Sequence, residues 1–152
     1  MTDPAPLALT TAADRAALPR RFATRLIGAF ALFVVGGVHL EQYSVAHFSV
    51  IPTIGPLFMV NFVAATAAGL LLLLAAIPAL GRVGPVLDLV AAAGGIGVAG
   101  GALAALLISE HTPLFGFMEN GYRREIVISI AAEVVAIAAL GLFLAGVRRR
   151  RS

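Results

Sequence analysis

The chain has no cysteine, and only 12% of its 152 residues are charged. Without cysteine it cannot form disulfides, thiolate metal sites, iron–sulfur clusters or covalently attached c-type haem. A soluble domain carries about a quarter charged residues, whereas this chain is 60% hydrophobic and has a mean hydropathy of +0.97. It is too apolar for water, and we expect a single membrane domain.

Lysine is absent too, so that all eleven basic residues are arginine. This bias, together with the abundance of Ala and Gly, indicates a GC-rich bacterial genome. The arginines flank the apolar stretches and do not form one patch, which argues against nucleic acid as a partner. They lie at Arg15, Arg20, Arg21, Arg25, Arg82, Arg123, Arg124 and in the run from Arg148 to Arg151.

Four stretches are long and apolar enough to cross a bilayer, which takes about 20 residues. They are residues 26–42, 54–80, 85–108 and 126–147. They predict an all-α, polytopic membrane protein, with a four-transmembrane-helix bundle over residues 21–147. Residues 1–20 are predicted to be a disordered cytoplasmic tail, and residues 148–152 a basic cytoplasmic tail.

The arginine positions also predict the orientation, because cytoplasmic loops are enriched in Lys and Arg. Arginines precede the first span, separate spans two and three, and follow the fourth, whereas the loop at 43–53 has none. The loop at 109–125 holds two arginines but also three glutamates. We therefore expect both termini in the cytoplasm and the chain in the inner membrane of a bacterium.

The third span contains the glycine- and alanine-rich segment "AAAGGIGVAGGALAA". Ala93, Gly97 and Gly101 fall four residues apart, and small residues at this spacing let membrane helices approach closely. We predict that helix 3 is tightly packed, with a homodimer seam and a backbone-lined ligand cleft as alternatives. Asp88 is expected to favour the helix N-terminus or to pair with Arg82.

Four polar residues in the predicted spans share a helix face with glycine or alanine: His39, Asn61, Ser129 and Glu133. Such faces turn toward other helices and not toward lipid. At a rise of about 1.5 Å per residue, Asn61 and Glu133 lie roughly 10 Å below the outer ends of their spans. His39 lies in the outer half of its own span. The sequence therefore predicts an inward-facing polar cluster of these four residues.

This cluster has a structural and a functional interpretation. Its side chains can simply hydrogen-bond one another and fix the helix register, or they can form a site for a small molecule, a proton or a metal. Ionisable residues within a membrane are a functional hypothesis by default, so Glu133 is the leading candidate. An outer mouth to the site is predicted at Glu41, Tyr43, Glu110 and His111.

No cofactor follows with certainty from the residues, and no metal site is predicted. His39 and His111 offer two imidazoles, as a b-type haem requires, but there is no HxxxH or HExxH motif. The outer loops "YSVAHFSVIPTIGPLF" and "EHTPLFGFMENGYRRE" are aromatic enough to cover a lipophilic ligand such as a quinone.

The stretches "RLIGAFALFVVGGVHLEQY" and "IGPLFMVNFVAATAAGLLLLL" resemble the DoxX-like group of small four-helix bacterial membrane proteins. The resemblance covers about residues 21–147, and the matching positions are Arg25, Gly36, His39 and Gly69. It implies a link to quinone-dependent oxidoreductases or a role as an accessory membrane subunit. The segment "SEHTPLFGFMENGYRRE" has no counterpart in that group. "HLEQY" and "IPTIGPLFMVN" are also similar to small membrane proteins of high-GC Gram-positive bacteria.

We therefore expect an accessory or binding protein that holds a quinone-like or lipid-like molecule at its outer face. The alternative is a small proton-coupled transporter or exporter that uses Glu133 as the coupling carboxylate. An enzyme is the third hypothesis, but no nucleophile with an adjacent base is evident. The expected partners are the lipid bilayer and either a membrane redox enzyme or further copies of the chain.

Overall fold

The computed structural model describes residues 12–148, and this part of the chain is built from four long helices without a β-strand. The all-α fold that the sequence predicts is therefore confirmed. Each helix is long and apolar enough to cross a membrane. The helices are α1 (Ala12–Ser44), α2 (Ile54–Leu74), α3 (Val83–Ser109) and α4 (Arg124–Arg148).

The helix boundaries differ from the predicted ones at two places. α1 begins at Ala12, inside the segment 1–20 that the sequence predicts to be a disordered tail. α2 ends at Leu74 and not at residue 80, because Pro78 cannot continue an α-helix and begins a short 3-10 turn. Residues 1–11 of the predicted first tail and 149–152 of the second lie outside the described residues.

The four helices form a square bundle in which neighbours in sequence are neighbours in space. α1 packs against α2 and α4, α3 packs against the same two helices, and the α1–α3 diagonal has little contact. Two loops, residues 45–53 and 110–123, lie at one end of the bundle, which we call the long-loop end. The loop at 75–82 lies at the opposite, short-loop end.

Small residues bring the helices together in the middle of the bundle. A Cβ atom added at Gly28 would lie 2.5 Å from Leu140 Cδ2, and one added at Gly95 would lie 2.7 Å from Leu32 Cδ1. Leu32 and Leu140 are fully buried. Helices can approach this closely only where a side chain is missing, which is how helices pack in lipid without a hydrophobic driving force.

Ala93, Gly97 and Gly101, the small residues spaced four apart in helix 3, do not pack inside the bundle. All three are exposed, and a Cβ atom added at Gly97 or Gly101 would meet no atom within 4 Å. The buried face of α3 instead carries small residues one or two positions earlier in the chain, at Ala91, Ala92, Gly95 and Ala99. Small residues cover so much of this helix that spacing alone did not decide which face is buried.

Large apolar side chains point outward around the bundle. Phe30 is 70% exposed, Leu142 is 65% exposed and Val60 is 61% exposed. In water such a surface would cause aggregation, whereas in a bilayer it faces acyl chains. The chain is therefore a multi-pass membrane protein whose surroundings are lipid.

The two adjacent glycines Gly94 and Gly95 provide a matched test of this packing. Gly95→Val should lower the free energy of unfolding by about 1–3 kcal/mol, the usual cost of overpacking, because the new side chain meets Leu32 and Leu140. Gly94→Val should leave stability nearly unchanged, since a Cβ atom there meets nothing within 4 Å. Unfolding of both variants in the same detergent measures the difference. Equal stability of the two variants would contradict the packing described here.

Candidate functional site

A cavity of about 140 Å³ lies among all four helices at the long-loop end. It is close in size to the ~150 Å³ protein cavity that takes up benzene. Its wall is mostly apolar, with several polar side chains. The residues that line it include His39, Gln42, Leu57, Phe58, Asn61, Ala102, Ala105, Phe117, Glu119, Arg123, Glu125, Ser129 and Glu133.

All four residues of the predicted polar cluster line this cavity. His39 comes from α1, Asn61 from α2, and Ser129 and Glu133 from α4. Ser129 and Glu133 lie one helical turn apart and therefore share a face. Glu133 is only 2% exposed and His39 only 9% exposed. The structure thus brings together, in one cavity, the side chains that the sequence placed at similar depth.

Only one of the two carboxylate oxygens of Glu133 has a hydrogen-bond partner among the described residues. Its Oε1 atom accepts a hydrogen bond of 3.0 Å from the Ser129 hydroxyl. Its Oε2 atom is buried and accepts no hydrogen bond from any described residue. Nor does the carboxylate form an ion pair within residues 12–148. An ionised carboxylate buried without a cation costs several kcal/mol, so this group is poised to interact with something that enters the cavity.

Two further acceptor atoms belong to the same site. The Asn61 Oδ1 atom is buried and has no hydrogen-bond partner among the described residues. His39 Nδ1 lies 2.8 Å from the Val35 carbonyl oxygen. Because a carbonyl only accepts, Nδ1 carries the proton, and Nε2 of the neutral ring is then an acceptor. The His39 ring also lies 5.2 Å from the ring of Phe58, which forms part of the cavity wall.

The residues predicted as the outer mouth do not line the cavity. Glu41 accepts a hydrogen bond of 2.6 Å from Gln42 Nε2, and Tyr43 is only half-buried. Glu110 accepts a 3.0 Å hydrogen bond from the Tyr122 hydroxyl, and this bond raises the pKa of Tyr122 above its ordinary value.

His111 is likewise outside the cavity wall. It is exposed, and its Nδ1 donates to the carbonyl of Leu107 at 2.9 Å. His39 and His111 therefore do not offer two imidazoles to one shared cavity, and the pair does not fit a bis-histidine haem. Among the described residues there is also no group of three or more His, Cys, Asp or Glu side chains that could hold a metal ion.

The charged residues at the rim are ones that the sequence analysis did not select: Glu119, Arg123 and Glu125. The Arg123 guanidinium donates to Glu119 Oε2 at 3.2 Å and lies 5.4 Å from the ring centre of Phe48. The backbone N–H of Glu119 donates to the Ser109 carbonyl at 3.1 Å, which folds this loop back over the end of α3. A loop has no periodicity, so the sequence offered only the four-residue spacing of Glu119 and Arg123 as a signal.

Backbone strain is concentrated in the two loops that cover this end. His47, Thr53 and Phe115 are non-glycine residues with positive φ angles of 62°, 67° and 51°. Positive φ costs L-residues energy, most of all a β-branched threonine. Such conformations persist only where the surrounding structure over-determines them. The loops are thus held in defined positions over the cavity.

The short-loop end is closed by a second buried carboxylate, which is ion-paired through one of its two oxygens. Asp88 of α3 forms ion pairs with Arg25 and, at 3.4 Å, with Arg21, both of α1. The two guanidinium groups lie 5.4 Å and 5.1 Å from the ring centre of Phe143 of α4. The sequence predicted that Asp88 lies at the N-terminus of its own helix, where the helix dipole favours it, or pairs with Arg82. In the structure Asp88 instead links α3 to α1 across the diagonal of the bundle.

We expect opposite effects on stability when each of the two buried carboxylates is replaced by its amide. Asp88→Asn should cost about 3–5 kcal/mol of stability, because it leaves two arginines without their counter-charge. Glu133→Gln should leave stability unchanged or raise it, because it removes a charge that nothing within the described chain neutralises. Thermal unfolding of both variants in detergent tests this contrast. A loss of stability at Glu133 as large as that at Asp88 would show that Glu133 is a structural residue.

No family model, no curated protein and no solved structure matches the chain. The resemblance to the DoxX-like group therefore stays a prediction, and the geometry of the cavity is the feature of the protein that bears on its function.

Proposed function

We propose that this protein binds an amphiphilic small molecule, with the polar part of the ligand in the cavity at the long-loop end. The observation that carries the proposal is the Glu133 side chain, which lines the cavity and whose buried Oε2 atom has no hydrogen-bond partner among the described residues. Buried polar groups in a membrane bundle are costly to maintain, and pure packing would be served better by an apolar residue at this position.

The shape of the cavity supports an amphiphile over a fully polar ligand. Its α2–α3 side is lined by the small side chains Ala102 and Ala105 and by Leu57, which is 46% exposed. This side of the bundle faces lipid, so that an apolar tail can extend from the cavity into the hydrocarbon. A quinone-like or lipid-like molecule has this two-part character, in keeping with an accessory subunit.

Proton-coupled transport is a second candidate, and the buried Glu133 is what favours it. A transporter also needs a path to the other end of the bundle. Below the cavity the way is filled by the fully buried Leu32 and Leu140 and then by the Arg25–Asp88 ion pair. The single structure thus supports binding more directly than passage.

We further propose that the long-loop end faces away from the cytoplasm of a bacterial cell, with the chain in the inner membrane. Arg21, Arg25 and Arg82 support this orientation, because all three belong to the short-loop end. The cavity would then receive its ligand from the outer leaflet.

The exposed small-residue face of α3, formed by Ala93, Gly97, Gly101 and Ala104, supports association with another membrane helix. Such faces allow close backbone approach in lipid. We propose that this helix comes from a second copy of the chain or from a membrane redox enzyme that the protein serves.

Filling the cavity tests the binding function. Ala105→Phe should remove any ligand that co-purifies with the wild-type protein, because the ring would occupy much of a cavity of about 140 Å³. Ala104→Phe is the matched control, since Ala104 is exposed and outside the cavity wall. Mass spectrometry of solvent extracts from gently purified protein compares them. A wild-type extract free of bound small molecules, or equal ligand content in both variants, would refute the proposal.

The orientation can be tested cleanly because the chain has no cysteine. A cysteine at Ser49 should react with a membrane-impermeant maleimide added to intact cells, whereas a cysteine at Ala79 should react only after the cells are opened. Both positions are exposed and lie in loops at opposite ends of the bundle. The reverse labelling pattern would place the long-loop end in the cytoplasm.

A further inference from the structure

The polar atoms of the cavity point to the chemical class of the ligand. The hydrogen-bond donors of the wall are largely committed within the protein: Ser129 donates to Glu133, Ser109 to the Leu106 carbonyl, and Gln42 Nε2 to Glu41. Asn61 offers both an acceptor and an NH2 donor, and Glu133 offers only an acceptor. A molecule that can only accept hydrogen bonds, such as a quinone with its two carbonyl oxygens, leaves the Glu133 Oε2 atom without a partner.

Residues of the cavity wall on three helices carry three acceptors. They are Glu133 Oε2 from α4, Asn61 Oδ1 from α2 and, by its tautomer, His39 Nε2 from α1. A primary ammonium group has three N–H donors and no acceptor. The number and kind of hydrogen-bonding atoms on the two sides therefore correspond.

The charges at the site also favour a ligand with an ammonium group. At the rim, Arg123 pairs with Glu119, and Glu125 pairs with Arg124 at 3.7 Å. Glu133 is left as the carboxylate of the wall with no ion pair among residues 12–148. The chain has no lysine, so it carries no side-chain ammonium of its own to fill this place. A ligand with a positive charge would neutralise Glu133, and the attraction between the two charges is stronger away from water.

The aromatic side chains favour a cation as well. Phe58 and Phe117 line the cavity, and Phe48 lies between them, 5.2 Å and 5.5 Å from their ring centres. The faces of such rings attract cations within about 6 Å, more strongly where water is excluded. Arg123 already uses the Phe48 ring in this way.

We propose that the ligand is an amphiphile with a primary ammonium head group, bound by Glu133, Asn61 and His39. This inference rests on the proposed binding function and makes it more specific. The ammonium can belong to a free lipophilic amine or to an aminolipid such as phosphatidylethanolamine. In both cases the head group lies in the cavity and the apolar part leaves between α2 and α3.

The test uses the full chain in phosphatidylcholine nanodiscs and three six-carbon probes: hexylammonium, hexyltrimethylammonium and hexanol. Calorimetric titration, with empty nanodiscs as the blank, gives the affinity of each probe. Hexylammonium should bind about ten-fold more tightly than the other two, the effect of one charge-assisted hydrogen bond. The trimethylated probe keeps the charge without N–H donors, and the alcohol keeps a donor without charge.

Matched variants identify the residues that cause the preference for hexylammonium over the other two probes. Glu133→Gln should abolish it, whereas Glu110→Gln, the same change at a glutamate outside the cavity wall, should retain it. Asn61→Leu should weaken the preference through a different helix, which keeps the test valid if either glutamine variant folds poorly. A preference that survives both Glu133→Gln and Asn61→Leu would overturn the ammonium site.

The outcomes separate the two proposals. Equal affinity for all three probes, each lost in Ala105→Phe, would overturn the ammonium inference and leave the binding function standing. No binding of any probe and no co-purifying molecule would overturn both. If hexylammonium binds selectively, nanodiscs containing phosphatidylethanolamine identify the source: competition indicates the aminolipid, and unchanged affinity indicates a free amine. Either of these last two results supports the ammonium site.

Discussion

The constraint on which this structure depends is that a charge buried in hydrocarbon must be neutralised inside the bundle. At the short-loop end this is complete, since Asp88 is paired with two arginines that also stack over Phe143. That ion pair ties α1 to α3 across the diagonal where little else connects them. At the other end Glu133 has only the Ser129 hydroxyl. The buried carboxylate at one end of the bundle is therefore neutralised by arginines, whereas the buried carboxylate at the other end has no ion pair among residues 12–148.

The packing of the helices follows the same division. In the middle of the bundle Gly28 and Gly95 let Leu32 and Leu140 fill the space between three helices. Toward the long-loop end no such closure is made, and the cavity opens where α2 and α3 present Asn61 and small alanines to each other. The loops that cover it hold strained backbone at His47, Thr53 and Phe115. The tightly packed half of the bundle thus supports the half that contains the cavity, an arrangement suited to binding.

In the proposed site, the polar atoms of the cavity would determine which ligands bind. A ligand that brings only acceptors would leave the buried Glu133 Oε2 atom without a partner. The same wall tolerates any apolar tail, since lipid-facing alanines and leucines place no directional demand on it. Discrimination would therefore reside in the head group of the ligand and not in its length.

The sequence by itself determined the membrane-spanning character, the number of helices and the inward-facing cluster of His39, Asn61, Ser129 and Glu133. Hydropathy and helical periodicity are local properties, and they specify which residues share a depth and a face. Only the tertiary structure decided which face of the glycine-rich α3 is buried, that Asp88 pairs with Arg25 and not Arg82, and that Glu119, Arg123 and Glu125 form the rim. These three features depend on which helices become neighbours and on how a loop without periodicity folds back. Contacts between segments that are distant in the chain produce no periodic pattern in the sequence, so they could not be predicted from it.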